Sequence, residues 1–394
     1  MAKQGGNLLV KLGIAIIIGI LLGLVVSEPV MALFQTIHYI LGQLISFCVP
    51  LVIVGFIAPA ITEFKVNASK IMGITILLAY LSSIGAATFA TVLGYLIVPH
   101  LSIATEAGKL VELPKTIIEL NIPPIMSVMS ALVLALLLGL ATVNTKSATM
   151  EKLLKEFQNI VLDIINKVVI PALPVFIATT FAGLAYEGTL TKQLPVFIEV
   201  VIIVILAHYV WLALLYSIGG AMLRANPWNV IKHYGPAYLT ALGTMSSAAT
   251  LSVALECIHK NRIIPRQIQD FVIPLCNTVH LCGSVLTETF FVMTISKMIY
   301  GSIPPVGTMV TFILLLGVFA VGAPGVPGGT VMASLGLVTS VLGFDQTGVG
   351  LLLSIFALQD SFGTACNVTG DGAIAMMVTG IMGQQHDQSS CQPS

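Results

Sequence analysis

Residues 351–378 read LLLSIFALQDSFGTACNVTGDGAIAMMV, an apolar run of bilayer-spanning length with two carboxylates in its middle. Asp360, Thr364, Asn367 and Asp371 stand 4, 3 and 4 residues apart, so on a helix all four share one stripe. Apolar sequence on both sides argues against a helix end resting among headgroups. Charged side chains at membrane depth are costly, so this stripe should line a cavity and meet cations or an amine.

Outward from that helix the chain repeats its theme. It has 394 residues, 57% hydrophobic and 9% charged, whereas a soluble domain carries about 25% charged residues. Apolar segments occur at about 8–27, 30–61, 69–98, 124–143, 153–186, 194–223, 268–299 and 348–383. Two further apolar stretches, 236–258 and 304–343, are interrupted, the first at Thr244–Thr250 and the second at Gly322–Thr330. Non-helical backbone cannot face lipid, and a pair of broken segments points to a binding site at the membrane midplane, as in transporters. The expected fold is therefore an all-α polytopic membrane protein with about eight transmembrane helices and two re-entrant helical hairpins.

Net charge is zero and no basic block exists, which gives nucleic-acid binding no electrostatic support. Basic residues cluster in alternate connections, at Lys3 and Lys11, Lys65 and Lys70, Lys146 to Lys155, Arg224 and Lys232, and Lys260 to Arg266. The positive-inside rule then places the N- and C-termini in the cytoplasm. Compact loops and a short polar tail suggest a prokaryotic inner membrane. The cysteines, Cys48, Cys257, Cys276, Cys282, Cys366 and Cys391, lack paired CxxC spacing, which argues against a disulfide framework or zinc site.

The segment 268–299, taken as one helix, puts His280, Ser284, Thr287 and Glu288 in a series of turns, with His280 and Glu288 near one face. A histidine titrates near neutrality and a buried carboxyl can hold a proton, so both are candidate proton carriers. Cys276 and His280 share a face of that helix, but Cys282 points elsewhere and no fourth metal ligand accompanies them. An intramembrane thiol enzyme would need an oxyanion-binding site as well, and a passive pore fits poorly with two closed hairpin tips.

The ordered set of features resembles the dicarboxylate/amino acid:cation symporter family over essentially the whole chain. The carriers of the resemblance are Ser246-Ser247-Ala248-Ala249-Thr250-Leu251 in the first tip, Gly325-Val326-Pro327-Gly328 in the second, Val49-Pro50-Leu51-Val52, and above all Asp360 to Asp371 ending in NVTGD. It implies a homotrimer in the bilayer, built from inverted repeats, with a static scaffold (1–65 and 117–190). A transport-domain helix and its connection (66–116) and a transport domain (191–384) would move by an elevator mechanism, leaving a polar tail (385–394). It implies further that Ser247 and Asn367 hold a substrate carboxylate and Asp360 and Thr364 an amino group, with Ser246, Val326 and Gly363 completing the substrate site. Thr278, Asn367 and Asp371 would be sodium ligands.

Departures from the family pattern refine that expectation. Gly363 stands where relatives of acidic specificity place an arginine, and Met245 supplies no alternative cation. An acidic side chain would then be buried unpaired, which favours a neutral substrate; the small Gly363 and Ala365 should leave room for a modest side chain. His280-Leu281-Cys282-Gly283-Ser284 replaces NMDGT, so one sodium site should be lost, and Glu288 falls where proton-coupled relatives keep a glutamate. The resulting expectation is a secondary active symporter for a small neutral amino acid, coupled to H+ and/or Na+ without another cofactor. The alternative is Na+-coupled symport of an acidic amino acid or dicarboxylate.

Overall fold

The computed structural model describes residues 2–63, 70–101, 113–188, 190–323 and 327–389. Val326 with the adjoining Pro324 and Gly325, Lys65, the stretch 102–112 and Cys391 lie outside them. All regular structure among the described residues is helical: α1 Ala2–Val25, α2 Glu28–Glu63, α3 Lys70–Ile97, α4 Val128–Thr145, α5 Ala148–Ile164, α6 Ile170–Tyr186, α7 Leu190–Leu223 and α8 Trp228–Ile231. Then follow α9 Gly235–Thr244, α10 Ser247–Ile258, α11 Arg266–Val279, α12 Cys282–Tyr300, α13 Val306–Gly322, α14 Gly329–Ser340 and α15 Gln346–Ser389. A π turn at Ile165–Val169 joins α5 to α6 without a gap.

Within lipid, a helix satisfies its backbone groups from its own segment, which is why apolar runs of this length fold as helices. Among the described residues, six helical stretches are long and apolar enough to span a bilayer, and five shorter apolar helices accompany them, including Val10–Val25 and Ser130–Thr145. The two interrupted segments each fold as a pair of helices packed on one another, α9 on α10 and α13 on α14. At 10, 12 and 12 residues, α9, α10 and α14 are only ~15–18 Å long, about half of the ~30 Å hydrocarbon core. The first hairpin turns at Met245, held in the left-handed region at φ 53°. The Ser246 side chain then caps α10 by accepting from the Ala249 amide at 3.3 Å. The second hairpin re-enters helix at Gly328, where φ is 72° and a side chain would be strained.

Burial sorts the long elements into centre and periphery. The apolar windows of Arg266–Tyr300 and Gln346–Gly383 are 94% and 89% buried, against 33% for Ala148–Tyr186 and 39% for Pro195–Leu223. The two segments richest in polar residues are thus wrapped by the others, as the cost of exposing their carboxylates to lipid requires. Small residues set the closest packing at the periphery. Gly19 and Gly23 of α1 lie on the backbone of Ala178 and Ala182 of α6, and a Cβ on either glycine would run into the carbonyl oxygen opposite. This is small-xxx-small packing between parallel neighbours.

One expectation fails. The segment 268–299 is two helices rather than one, because His280 is extended (φ −109°, ψ 96°) and Leu281 leaves helical geometry (φ −117°, ψ 38°). His280 and Glu288 therefore do not share a helical face. The break persists because the first amides of α12, which have no acceptor in their own helix, find one across the interface.

Candidate functional site

The acceptor is Asn367 of α15. Its Oδ1 accepts from the Gly283 amide at 2.7 Å and the Ser284 amide at 3.2 Å, while its Nδ2 donates to Ser284 Oγ at 2.9 Å. A side chain 84 residues beyond Gly283 thus caps the start of α12, and one N–H of its amide remains over. Both lone pairs of Oδ1 are engaged, so a sodium ion at Asn367 would have to take the backbone carbonyl. Behind this cap, His208 of α7 places Nε2 3.0 Å from the Gly283 carbonyl and 2.9 Å from Thr287 Oγ1. A carbonyl only accepts, so Nε2 carries the proton of that imidazole.

One turn beyond Asn367, Asp371 Oδ1 lies 2.9 Å from His280 Nδ1, and the other ring nitrogen of His280 lies 2.9 Å from Ser82 Oγ on α3. The extended conformation of His280 is what turns its ring from its own helix towards α15. Asp371 Oδ2 has no hydrogen-bond partner among the described residues. On the other side of Asn367, Asp360 Oδ2 accepts from the Gly328 amide at 2.7 Å, which ties α15 to the second hairpin. Glu288 accepts from Ser334 Oγ of α14, and its second oxygen is unpartnered among the described residues. The second hairpin is thus fastened by two carboxylates, one from α15 and one from α12.

The stripe of Asp360, Thr364, Asn367 and Asp371 is buried along its whole length. Ser247 is buried on α10, which packs against α15, and Ser246 is half-buried at the tip. Thr278 is exposed, and its hydroxyl donates to the Leu275 carbonyl of its own helix at 2.8 Å. The space expected beside Gly363 is filled: a Cβ there would lie 3.3 Å from Ser284 Cα, N and Oγ. The α12 start packs closely on α15 at this point, so a side chain at 363 would require Ser284 to give by a few tenths of an ångström.

His208 and Ser82 take part although the sequence alone does not single them out. A histidine inside the apolar run 194–223 is a visible signal, since an ionisable residue at membrane depth needs a reason. Ser82 in its helix carries none. Among the described residues no lysine or arginine is buried, whereas Asp360, Asp371 and Glu288 are. Such an interior offers negative charge, hydroxyls and oriented amides, which suits small cations and ammonium groups.

A polar interior held between broken helices and wrapped by lipid-facing ones defines a class, the membrane proteins built as secondary transporters. The chain belongs to the sodium:dicarboxylate symporter family, whose sequence profile matches residues 8–381. Among individual relatives, excitatory amino acid transporter 2 of Homo sapiens is 31% identical over 234 residues, 57% of this chain and 40% of the relative. Excitatory amino acid transporter 1 of Ambystoma tigrinum is 30% identical over 203 residues, 51% of this chain and 36% of the relative. Excitatory amino acid transporter 1 of Homo sapiens is 30% identical over 210 residues, covering 52% and 38%. The matched stretch spans less than half the length of these relatives. The protein is an integral membrane protein of a transporter family, and not of an enzyme family.

Proposed function

We propose that the protein is a secondary active symporter for a small neutral amino acid, driven by sodium, protons or both. The observation that carries the neutral-substrate reading is the buried charge: three carboxylates with no lysine or arginine among the described buried residues, and Gly363 closed against Ser284. An anionic side chain brought into that interior would lack a cationic partner, and an unpaired buried charge is strongly destabilising.

In this reading Ser247 and the remaining N–H of Asn367 receive the solute carboxylate, while Thr364 and the free oxygen of Asp360 receive its ammonium group. The tips, with Ser246 and Val326, close over it. Sodium is held by the open oxygen of Asp371 with nearby backbone carbonyls, and Thr278 contributes through its backbone. Glu288 carries a coupling proton, and His280 orients Asp371. Residues 191–384 with 66–116 form the mobile domain of an elevator in a homotrimer, the rest being scaffold, and the protein sits in a prokaryotic inner membrane with both termini cytoplasmic.

The second reading is sodium-coupled transport of an acidic amino acid or dicarboxylate, favoured by the family description and by the buried imidazole of His280, which a proton would turn into a cation beside Asp371. Uptake of labelled serine, alanine, aspartate and glutamate into proteoliposomes, under separately imposed sodium and proton gradients, separates the two. Accumulation of a neutral amino acid with aspartate excluded supports the first; aspartate accumulation on sodium alone overturns it.

A further inference from the structure

The packing of α1 on α6 leaves a groove of about 410 Å³ between α1, α2 and α6, on the outer surface of the molecule and apart from the buried carboxylates. Its walls are apolar, with Ile14, Ile18 and Leu22 from α1, Phe34 from α2 and Val175 from α6, and its one charged lining residue is Lys11. The groove runs beside the seam at which Gly19 and Gly23 bring the α1 backbone onto Ala178 and Ala182, and both alanines line it. Ile14, Ile18 and Val175 remain exposed, so the groove opens towards lipid.

Its dimensions and charge select an occupant. Lys11 and Leu22 are eleven residues apart on one helix, ~16 Å at 1.5 Å per residue. That is the depth of one leaflet, half of the ~30 Å hydrocarbon core. Lys11 stands near the start of the apolar run, where its long stem lets the ammonium reach the headgroup level. Among the described residues no carboxylate pairs with it. An amino-acid solute would find no place here for its carboxylate and ammonium together. A single acyl chain below and an anionic headgroup above match both ends, and basic sites between transmembrane helices are a recurrent mode of anionic lipid binding.

We propose that this groove is a binding site for one anionic phospholipid, with an acyl chain along Ile14, Ile18 and Leu22 and the headgroup phosphate on Lys11. The test is native mass spectrometry of the purified full-length protein, titrated with dioleoylphosphatidylglycerol or dioleoylphosphatidylcholine, and it requires no transport. The wild type should retain one phosphatidylglycerol about fivefold more tightly than phosphatidylcholine, the ratio that ~1 kcal/mol per basic residue at a charged surface gives. Lys11→Ala should bring the two lipids to equal retention. Ile18→Trp, which fills the groove from an exposed position, should weaken both. Equal retention by the wild type, a preference that survives Lys11→Ala, or undiminished retention by Ile18→Trp each overturns the proposal. So does an oligomer that retains no lipid from the wild type and gains it in Ile18→Asp, which would mean that a second copy covers the groove.

Discussion

Asn367 commits its amide oxygen to two backbone amides at the start of α12. Replacing it with alanine leaves the Gly283 and Ser284 amides buried without acceptors, at about 1–3 kcal/mol for each group. Thermal unfolding in detergent should show Asn367→Ala several degrees below wild type, with Asn367→Asp, which keeps an acceptor, closer to it. A wild-type melting temperature for Asn367→Ala would mean that the break between α11 and α12 is held by other contacts. Glu288 is only half engaged by comparison. One of its oxygens accepts from Ser334 and the other is unpartnered, so a proton has a place to sit. Glutamine at 288 can still accept from Ser334 but cannot titrate. If Glu288 carries the coupling proton, wild-type uptake rises as external pH falls, and Glu288→Gln loses that rise while keeping its fold. Full pH dependence in Glu288→Gln would remove Glu288 from the coupling pathway.

At the scale of elements, the hairpins and the long helices are legible in the sequence and the break inside 268–299 is not. The hairpins announce themselves by composition, Thr244–Thr250 and Gly322–Thr330 being breaks that lipid forbids. The stripe on α15 follows from spacing alone, because the helix runs unbroken between Asp360 and Asp371. By contrast, nothing local ends α11 at Val279. Pro274 lies within that helix, and the break depends on amides being capped from α15, 84 residues further along. The same long-range contact brings Ser284 close to Gly363, an approach that no local signal in the sequence announces. The tip of the first hairpin is a local device and can be tested locally. Ser246 caps α10 with its side chain, so Ser246→Ala should lower stability by about 0.5–2 kcal/mol, read as a reduced melting temperature. Solute added to the protein should recover less of the lost stability in Ser246→Ala than in wild type if the tip also touches the solute. Equal recovery would confine Ser246 to the cap.

At the scale of the whole molecule, the balance of buried charge makes a statement about current. The interior holds carboxylates and no buried lysine or arginine among the described residues, and two helical segments almost wholly wrapped by the rest keep it from lipid. A zwitterionic amino acid adds no net charge to that interior, so each sodium ion or proton that accompanies it crosses as uncompensated positive charge. If the solute is a neutral amino acid, uptake should therefore be electrogenic. Each elementary charge moved through ~100 mV is worth ~2.3 kcal/mol, enough for a roughly fiftyfold accumulation at equilibrium. Proteoliposomes loaded with potassium and treated with valinomycin, so that the inside turns negative, should take up the neutral solute faster and to a higher level than vesicles held at zero potential. An anionic amino acid carried with a single cation would instead move no net charge, and the imposed potential would leave its accumulation unchanged. A neutral solute whose uptake ignored the potential would require a compensating counter-ion on the return step, and the reading of a symporter coupled only to inward cations would have to be given up.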